Sequence, residues 1–379
     1  MPHHRRKYLD TVCEWTAVSN RLHASSLTAQ RFNELVRARQ PAVLVGAGDL
    51  PELRTVGRLW RQRDYLIRAH GDVRLQFSLS ASEEFEGVEL AAGWPGAQRF
   101  WDAWRRGEDG PSAGTMVEAL SAAGSRYQPC NSASSQCVRH IFDRVVVRPA
   151  VANTTLQDVL TQPLPNGVAS GYVQYETIPA SMHADLRVPA FAGSLKPEFT
   201  GMWLGRGKTR AQLHHDANEN LLLMVRGSKT WRLFPPTAGD ALHEGYMLEV
   251  QQQLTDVSEA GQLERVPVGL SNASLSFFTS PVSLARQSAD TERFPQLGTI
   301  EDIGYECELE RGDMIFVPSW WWHQVETATE PEPTTTTEPG FTAGWAAAVN
   351  FWFEPHFVKA YGCATCELKE NPKHPPLNS

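Results

Sequence analysis

The sequence has few cysteines and no long apolar run, and these absences exclude several classes of protein. Six cysteines in 379 residues are too sparse for a disulfide framework, so we expect reduced thiols in a reducing compartment. No run of about 18 apolar residues occurs, which excludes a membrane-spanning helix. The basic N-terminus lacks the apolar stretch of a secretory signal. These features predict a cytoplasmic protein, with the nucleus as the alternative.

The sequence also has no excess of positive charge. It carries 35 Lys and Arg against 43 Asp and Glu, a formal net charge of −8. Because a nucleic-acid surface is basic, this balance counts against a nucleic-acid partner, although net charge does not exclude a local basic patch. A hydrophobic fraction of 41% over this length is sufficient for a sizeable globular core.

One pair of cysteines, Cys363 and Cys366, has the C-x-x-C spacing of half a zinc site or of a redox pair. The second half of a zinc site would have to come from Cys130 and Cys137, whose separation is wide for a zinc knuckle. No βαβ pattern surrounds the motif, so a thioredoxin-type function is poorly supported. We therefore expect two ordinary reduced thiols at 363 and 366.

The first part of the chain mixes helical and extended patterns. Thr28 can cap a helix that ends before Pro41, and a buried strand is predicted over Ala42–Val45. We expect residues 1–165 to form a mixed α/β region that packs on the remainder of the protein.

Residues 166–356 instead contain short strand-like runs separated by turn residues. The runs are 171–178, 199–204, 211–215, 221–225, 230–234, 305–309, 314–317, 321–326 and 346–353. Such a succession favours a β-barrel or sandwich. Two insertions interrupt it, 237–303 and a low-complexity stretch at 328–343 that is rich in Thr, Glu and Pro. For residues 357–379 we predict a C-terminal helix and a tail.

Three residues have the identity and spacing of a two-histidine, one-carboxylate metal site. His214 and Asp216 lie two positions apart, and alternate residues of a strand point to the same side. His323, in the run that follows Pro318, can complete the set. Such a triad leaves positions on iron(II) for a bidentate 2-oxo acid and for dioxygen. His215 is the alternative to His214, but it would not share a side with Asp216.

Lys229 lies fifteen positions after His214, immediately before the strand-like run 230–234. A lysine that lines a barrel is costly unless it is paired, so an anionic ligand would account for it. Without the triad, a solvated lysine after a turn would be the better interpretation.

The order of these motifs resembles the JmjC/cupin-like iron(II)- and 2-oxoglutarate-dependent oxygenases, and most closely the layout of the small JmjC protein (lysyl) hydroxylases. The similar segments are His214-x-Asp216 with Asn220, Gly227-x-Lys229-x-Trp231-x-Leu-Phe-Pro-Pro236, Gly312-Asp313-Met-x-Phe-Val-Pro-x-x-Trp321-Trp322-His323 and Val349-Asn350-Phe-Trp352-Phe. The likeness covers about residues 165–355. It implies a mainly β protein with a double-stranded β-helix, the jelly-roll or cupin fold, flanked by N-terminal helices and a C-terminal helix.

The resemblance implies an iron site and a carboxylate site. His214, Asp216 and His323 match the iron ligands. Lys229 matches the lysine that binds the distal carboxylate of 2-oxoglutarate, and Tyr172 matches the tyrosine that shares this carboxylate.

It also implies four further residues around the cofactor. Asn220 and Asn350 match polar residues near the cofactor and its oxygen site. Trp203 and Trp352 match aromatic walls of the pocket, although tryptophans on barrel strands are more often core residues.

The sequence departs from the family pattern in two places. Ala211 replaces the usual Thr or Ser three positions before the first histidine, which removes a hydroxyl from the carboxylate site. A lost hydrogen bond to a charged group costs about 1.5–3 kcal/mol, unless Thr209 or water substitutes. The insertion at 328–343 lies between the strands of His323 and Asn350, where it could affect substrate access.

The resemblance therefore predicts an iron(II)- and 2-oxoglutarate-dependent dioxygenase that hydroxylates a side chain of a protein substrate, with lysine or arginine as the candidate target. Its cofactors would be iron(II), 2-oxoglutarate and dioxygen, with succinate and carbon dioxide as products. The alternatives are an RNA-nucleoside hydroxylase of the wybutosine type, a histone demethylase and a non-catalytic cupin-fold binding protein. A homodimer is a further option, since dimers are common among similar hydroxylases.

Overall fold

The structure is a computed structural model, and it describes residues 21–106, 128–129, 137–255, 263–267, 269, 274–284, 293–300, 303–331, 344–359, 363–364 and 366–374. The α-helices in these residues all come before residue 166, where the predicted strand-rich region begins. They are α1 (Ala29–Ala38), α2 (Arg54–Leu59), α3 (Arg63–His70), α4 (Ala97–Arg105) and α5 (Leu156–Thr161). None of these described helices is long and apolar enough to cross a membrane.

Strands make up most of the regular structure. Those before residue 200 are β1 (Arg21–His23), β2 (Ala42–Val45), β3 (Arg74–Ser80), β4 (Glu84–Phe85), β5 (Gly87–Leu90), β6 (Gln128–Pro129), β7 (Cys137–Val138), β8 (His140–Arg148), β9 (Ala150–Thr155), β10 (Ser170–Thr177) and β11 (Pro197–Arg206). The later ones are β12 (Thr209–His215), β13 (Glu219–Arg226), β14 (Ser228–Phe234), β15 (Tyr246–Leu254), β16 (Leu263–Val266), β17 (Leu275–Ser276), β18 (Tyr305–Leu309), β19 (Met314–Val317), β20 (Trp322–Ala328), β21 (Trp345–Phe353), β22 (Phe357–Val358) and β23 (Lys369–Glu370).

Two sheets form the double-stranded β-helix that the resemblance implied. The larger has nine strands in the order β1-β2-β19-β13-β21-β11-β10-β3-β9. The smaller has five, in the order β18-β14-β20-β12-β4. A third sheet, β16-β15-β8-β5, lies beside them and is built partly from the insertion at 237–303. All nine strand-like runs of the sequence are strands of the first two sheets, so the predicted mainly β fold is confirmed.

The middle of the nine-stranded sheet is buried on both faces, as on β13 and β21. On β13, Leu221, Leu223 and Val225 pack with the helices, whereas Leu222 and Met224 face the interior between the two sheets. This is why the strand reads as a continuous apolar run rather than an alternating one. Gly227 makes the tight turn to β14 at φ +81°, where a Cβ atom would lie 2.4 Å from the carbonyl oxygen of Ala328. Only glycine fits such a turn.

The N-terminal region does more than pack on the barrel. Thr28 caps α1 as predicted, and its hydroxyl accepts a hydrogen bond from the backbone N–H of Arg31. The strand after Pro41, β2, pairs with β19, and β3 pairs with β10. The nine-stranded sheet therefore crosses the boundary predicted at residue 165, and the region before it contributes strands as well as helices.

The two insertions differ in how much of them is described. The one at 237–303 covers the outer face of the five-stranded sheet, where Leu242, Phe294 and Leu297 pack with Trp322. Most of the low-complexity insertion, residues 332–343, lies outside the described residues.

The predicted C-terminal helix is wrong for the described part of 357–379. Strands β22 and β23 pair there, and the backbone N–H of Asn371 donates to the carbonyl oxygen of His356 at 2.8 Å. Pro355 and Pro372 flank this hairpin on either side.

The predicted reduced thiols at 363 and 366 are also wrong, because a disulfide joins Cys363 to Cys366. The turn between them brings their α-carbons to 5.4 Å, a separation that a disulfide spans. Sequence spacing indicated proximity, but it did not indicate the oxidation state.

Candidate metal centre and anion site

Strand pairing brings the three candidate metal ligands together. His214 on β12 is directly opposite His323 on β20 in the five-stranded sheet, and Asp216 follows the end of β12. One ligand atom from each of the three lies within 4.8 Å of the others. Asp216 Oδ2 is 3.9 Å from His214 Nε2 and 3.3 Å from His323 Nε2. His215 does not join them, because its fully buried ring packs against Trp322 on the opposite side of the strand.

Backbone carbonyls fix both imidazoles. The Nδ1–H of His214 donates to the carbonyl oxygen of Gln212 at 2.6 Å, and that of His323 donates to the carbonyl oxygen of Trp321 at 2.9 Å. A carbonyl can only accept, so in each neutral ring Nε2 carries the lone pair. Two imidazole Nε2 atoms and a carboxylate then face one another, an arrangement that suits a cation between them. This carbonyl support is also how metal-bound histidines are commonly oriented.

A β-bulge in β12 sets which side chains reach the interior. Ala211 is opposite Val325 and His214 is opposite His323, so three steps along β12 match two along β20. The extra residue shifts the alternation, and Ala211 and His214 consequently both line the same cavity.

The electrostatic environment keeps His214 neutral. Burial, and to a smaller degree the neighbouring His323, lowers the pKa of His214 to about 4. At neutral pH its imidazole is therefore uncharged, which is the form that binds a metal ion.

A buried lysine marks the other end of the site. Lys229 on β14 donates from Nζ to the hydroxyl of Tyr172 at 2.9 Å and to Thr327 Oγ1 at 2.7 Å. Its side chain is nearly inaccessible, and no carboxylate in the described part of the chain forms an ion pair with it. Burial lowers the pKa of Lys229 to about 7. A buried ammonium with two neutral partners and one remaining proton is suited to an anion.

One cavity joins the two ends. It is open to solvent and encloses, together with that opening, about 510 Å³ of space. Its lining includes His214, Asp216 and His323 at one end and Lys229 at the other. Most of the remaining wall is aromatic or aliphatic. These wall residues are Phe85, Tyr172, Trp203, Ala211, Leu222, Trp231, Val325 and Trp352. Trp203 and Trp352, the two predicted aromatic walls, are among these lining residues.

The two predicted asparagines occupy different positions relative to the cavity. Asn220 lines the cavity, and its Oδ1 is buried without a hydrogen-bond partner among the described residues. Asn350 is fully buried behind Trp203, whose indole N–H donates to Asn350 Oδ1 at 2.8 Å. Asn220 can therefore contact a ligand directly, whereas Asn350 orients a wall of the pocket.

Two residues of the site were missed by the sequence analysis. Thr327 contacts Lys229, and strand periodicity could have found it, since it lies four positions after His323 on the same face of β20. Glu86 lines the cavity from the turn between β4 and β5 at φ +57°, and no motif marked it. Glu86 also lines an outer groove of about 1290 Å³ that leads to His214 and Asp216.

The profile of the cupin-like domain family matches residues 28–359. This chain belongs to the cupin-like domain family. The match covers most of the chain and includes both ends of the cavity, so the resemblance in the motifs holds for the whole fold.

Several curated relatives of this cupin-like protein carry JmjC-related names. It is 25% identical to "Lysine-specific demethylase JMJ32" of Arabidopsis thaliana over 206 residues, which is 52% of this chain and 55% of the relative. It is 23% identical to the human "Bifunctional peptidase and (3S)-lysyl hydroxylase JMJD7" over 170 residues, 44% of each chain. It is 28% identical to "tRNA wybutosine-synthesizing protein 4" of Gibberella zeae over 147 residues, 38% of this chain and 11% of the relative. The cupin-like chain thus spans about half or less of the length of these relatives.

Proposed function

We propose that this protein is an iron(II)- and 2-oxoglutarate-dependent oxygenase that hydroxylates a side chain of a protein substrate. The observation that supports it most is the arrangement of a metal triad and a buried lysine at opposite ends of one cavity. The two sites match the two halves of a metal-chelating dicarboxylate.

The donor set fits iron(II). His214, Asp216 and His323 supply two imidazoles and one carboxylate, the facial set of non-haem iron oxygenases. Iron(II) held there would couple the reduction of dioxygen to the oxidative decarboxylation of 2-oxoglutarate. The carbonyls of Gln212 and Trp321 hold the imidazoles in the required orientation, so little rearrangement is needed on binding.

The deep end of the cavity fits the distal carboxylate. Leu233 is opposite His323 and Lys229 is opposite Thr327, so the lysine lies four residues along the strand pair from the metal ligand. At this spacing, their α-carbons are about 13 Å apart along the strands. Because the two side chains reach into the same cavity, the gap left between their ends suits a small dicarboxylic acid. Burial raises the pKa of Tyr172, so its hydroxyl stays protonated and can donate to the same carboxylate as Lys229.

The cavity walls supply orientation and exclude water. Tyr172 and Trp203 pack with ring centroids 5.4 Å apart, and Trp231 lies 5.4 Å from the ring of His323. An apolar wall around a chelated acid restricts its rotation, and it limits side reactions with water.

The outer groove supports a cationic target such as lysine or arginine. Glu86, Glu176 and the ligand Asp216 line it, and Arg148 is the basic side chain that lines it with them. Arg148 is itself paired with Glu86 and Glu249, so its charge is already compensated. Glu86 is compensated by the same pair and Asp216 would face the metal ion, so Glu176 is the lining carboxylate without a cationic partner among the described residues. Its charge favours a positively charged side chain and disfavours the phosphates of RNA.

The test is turnover with iron(II), ascorbate and 2-oxoglutarate in the presence of peptide pools with central lysine or arginine. We expect succinate, together with a peptide mass gain of one oxygen atom, from the wild type and not from His214→Ala. Glu86→Gln should lower the yield from the cationic pools, and Glu249→Gln is its control, because that residue pairs with the same arginine without lining the groove. Metal binding without succinate from any pool or any cellular protein fraction would contradict the proposal.

Lysine demethylation is a second candidate, supported by the same acidic groove and by the names of several relatives. Pools with N-methylated lysine distinguish the two functions. Loss of a methyl group with release of formaldehyde indicates demethylation, whereas a stable gain of oxygen indicates hydroxylation.

A further inference from the structure

A cluster of charged side chains is completely buried on the side of β12 that faces away from the cavity. The side chains of His215 and Glu244 are inaccessible, and that of Lys359 is 2% exposed. Lys359 Nζ donates to Glu244 Oε2 at 2.7 Å, and His215 Nε2 lies 3.7 Å from Glu244 Oε1. Buried ion pairs contribute little net stability, and losing one partner leaves an uncompensated charge. A contribution to folding stability therefore does not by itself account for this cluster.

The cluster contacts the residue that positions Asp216. The backbone N–H of Trp320 donates to the carbonyl oxygen of Asp216 at 2.7 Å. The indole of Trp320 contacts both ends of the cluster, with its centroid 5.2 Å from that of His215 and 5.4 Å from Lys359 Nζ. Its N–H donates to the carbonyl oxygen of Phe357 at 2.9 Å. Trp320 has φ +68°, a conformation that a non-glycine residue keeps only where its surroundings hold it.

The other side of the cluster contacts the loop closed by the Cys363–Cys366 disulfide. Cys363 is fully buried, and its carbonyl oxygen accepts from Lys359 Nζ at 3.5 Å. Gly239 lies between Glu244 and this loop: a Cβ atom there would be 2.6 Å from Glu244 Oε2 and 3.5 Å from the carbonyl oxygen of Ala364. The loop therefore lies next to the carboxylate that Lys359 binds, with only Gly239 between them.

We propose that the Cys363–Cys366 disulfide is a redox-sensitive clamp on the metal centre. The closed loop holds Lys359 on Glu244 and against Trp320, and Trp320 in turn holds Asp216. Lys359, Glu244 and His215 are thus positioning residues for the metal ligands. The proposal rests on the metal site of the proposed function.

The switching step is a two-electron reduction of the disulfide. The S–S bond takes up two electrons and two protons and gives two thiols, and a dithiol donor becomes a disulfide in exchange. Opening the loop removes the constraint that holds the carbonyl of Cys363 at Lys359. Loss of such outer support typically weakens metal binding about 10- to 100-fold.

The experiment measures cobalt(II) binding by the full-length protein, since its visible absorption reports both affinity and ligand geometry. The oxidised wild type is compared with the protein reduced by a phosphine and checked for two new thiols by mass spectrometry. The double variant Cys363→Ser/Cys366→Ser has the open loop without any reductant. Lys359→Met removes the ammonium that links the loop to Glu244. The controls are Cys307→Ser, which changes a buried cysteine on β18 outside the disulfide, and Lys196→Met, which changes an exposed lysine paired with Glu354.

We expect about tenfold weaker cobalt binding and an altered visible spectrum in the reduced protein, the double serine variant and Lys359→Met, with both controls unchanged. The affinity for 2-oxoglutarate at saturating cobalt should change little, because its carboxylate site is at Lys229. An unchanged cobalt affinity after complete reduction would overturn the clamp, even if a variant fails to fold. Absence of cobalt binding in the oxidised protein would instead contradict the proposed function.

Discussion

The two ends of the cavity are built in opposite ways. At the metal end, His214, Asp216 and His323 are electron-pair donors that converge on a cation. At the deep end, Lys229 and the hydroxyl of Tyr172 are hydrogen-bond donors that converge on an anion. Each end is electrostatically incomplete without its ligand, and a dicarboxylate that chelates a metal completes both.

The ends also differ in how the chain assembles them. The metal end needs two neighbouring strands of one sheet, β12 and β20, and one three-residue motif. The deep end needs both sheets, because Tyr172 comes from β10 whereas Lys229 and Thr327 come from β14 and β20. The comparison shows that a metal site can be a local property of strand pairing, while the carboxylate site depends on how the two sheets face each other. The two ends should therefore be separable by mutation.

The largest effect is expected at the metal end. Asp216→Ala removes the charged ligand and leaves two neutral imidazoles, so metal affinity and succinate formation should fall by at least about 100-fold. Cobalt(II) titration and a succinate assay measure the two losses. Asp49→Ala, whose side chain is largely exposed, is the matched control. Retained activity in Asp216→Ala would rule out the assigned triad.

The next effect should be confined to the deep end. Lys229→Met keeps the bulk of the side chain and removes the ammonium, so the affinity for 2-oxoglutarate should fall about 10- to 100-fold, the value of a hydrogen bond to a charged group. The affinity for cobalt without 2-oxoglutarate should not change. Lys196→Met serves as the control on the surface. A comparable loss of cobalt binding in Lys229→Met would mean that the two ends are not separable.

The pH dependence of 2-oxoglutarate binding should follow the lysine. Because burial lowers the pKa of Lys229 to about 7, the free site loses its positive charge as the pH rises through that value. A bound carboxylate restores the charge, so binding takes up a proton above pH 7, and the dissociation constant should rise up to about tenfold per pH unit. Calorimetry in buffers of different ionisation enthalpy measures the proton uptake. In Lys229→Met this dependence should disappear.

The smallest effects concern the hydroxyls around the carboxylate. Thr327→Val removes the Oγ1 that contacts Lys229 at 2.7 Å, which should weaken 2-oxoglutarate binding about threefold to tenfold. Ala211→Thr restores the hydroxyl that the family usually has and should strengthen binding by a similar factor. Dissociation constants from competition titrations test both. If Ala211→Thr weakens binding while Thr327→Val does not, hydroxyls at these two positions do not contribute to holding the carboxylate.

Much of the site could be predicted because its parts have local patterns. The spacing of His214 and Asp216 gives a shared side of a strand, and the run after Pro318 places His323 on a strand of its own. Tyr172, Lys229 and Asn220 were recognised from the resemblance and lie at the cavity. Glu86 could not be found, because its place at the cavity depends on the turn between β4 and β5. The C-terminal hairpin was missed because its pairing partners, β22 and β23, are separated by residues without strand periodicity.

The sequence by itself determined the mainly β fold, the metal-binding residue types and the buried lysine, because strand alternation and ligand chemistry are properties of neighbouring residues. The tertiary structure decided which of them meet. The bulge in β12 directs both Ala211 and His214 into the cavity, against simple alternation, and sheet pairing sets His323 opposite His214. The burial of Lys359 beside Glu244 likewise follows from packing between distant segments. Such contacts depend on the path of the whole chain, which no local pattern encodes.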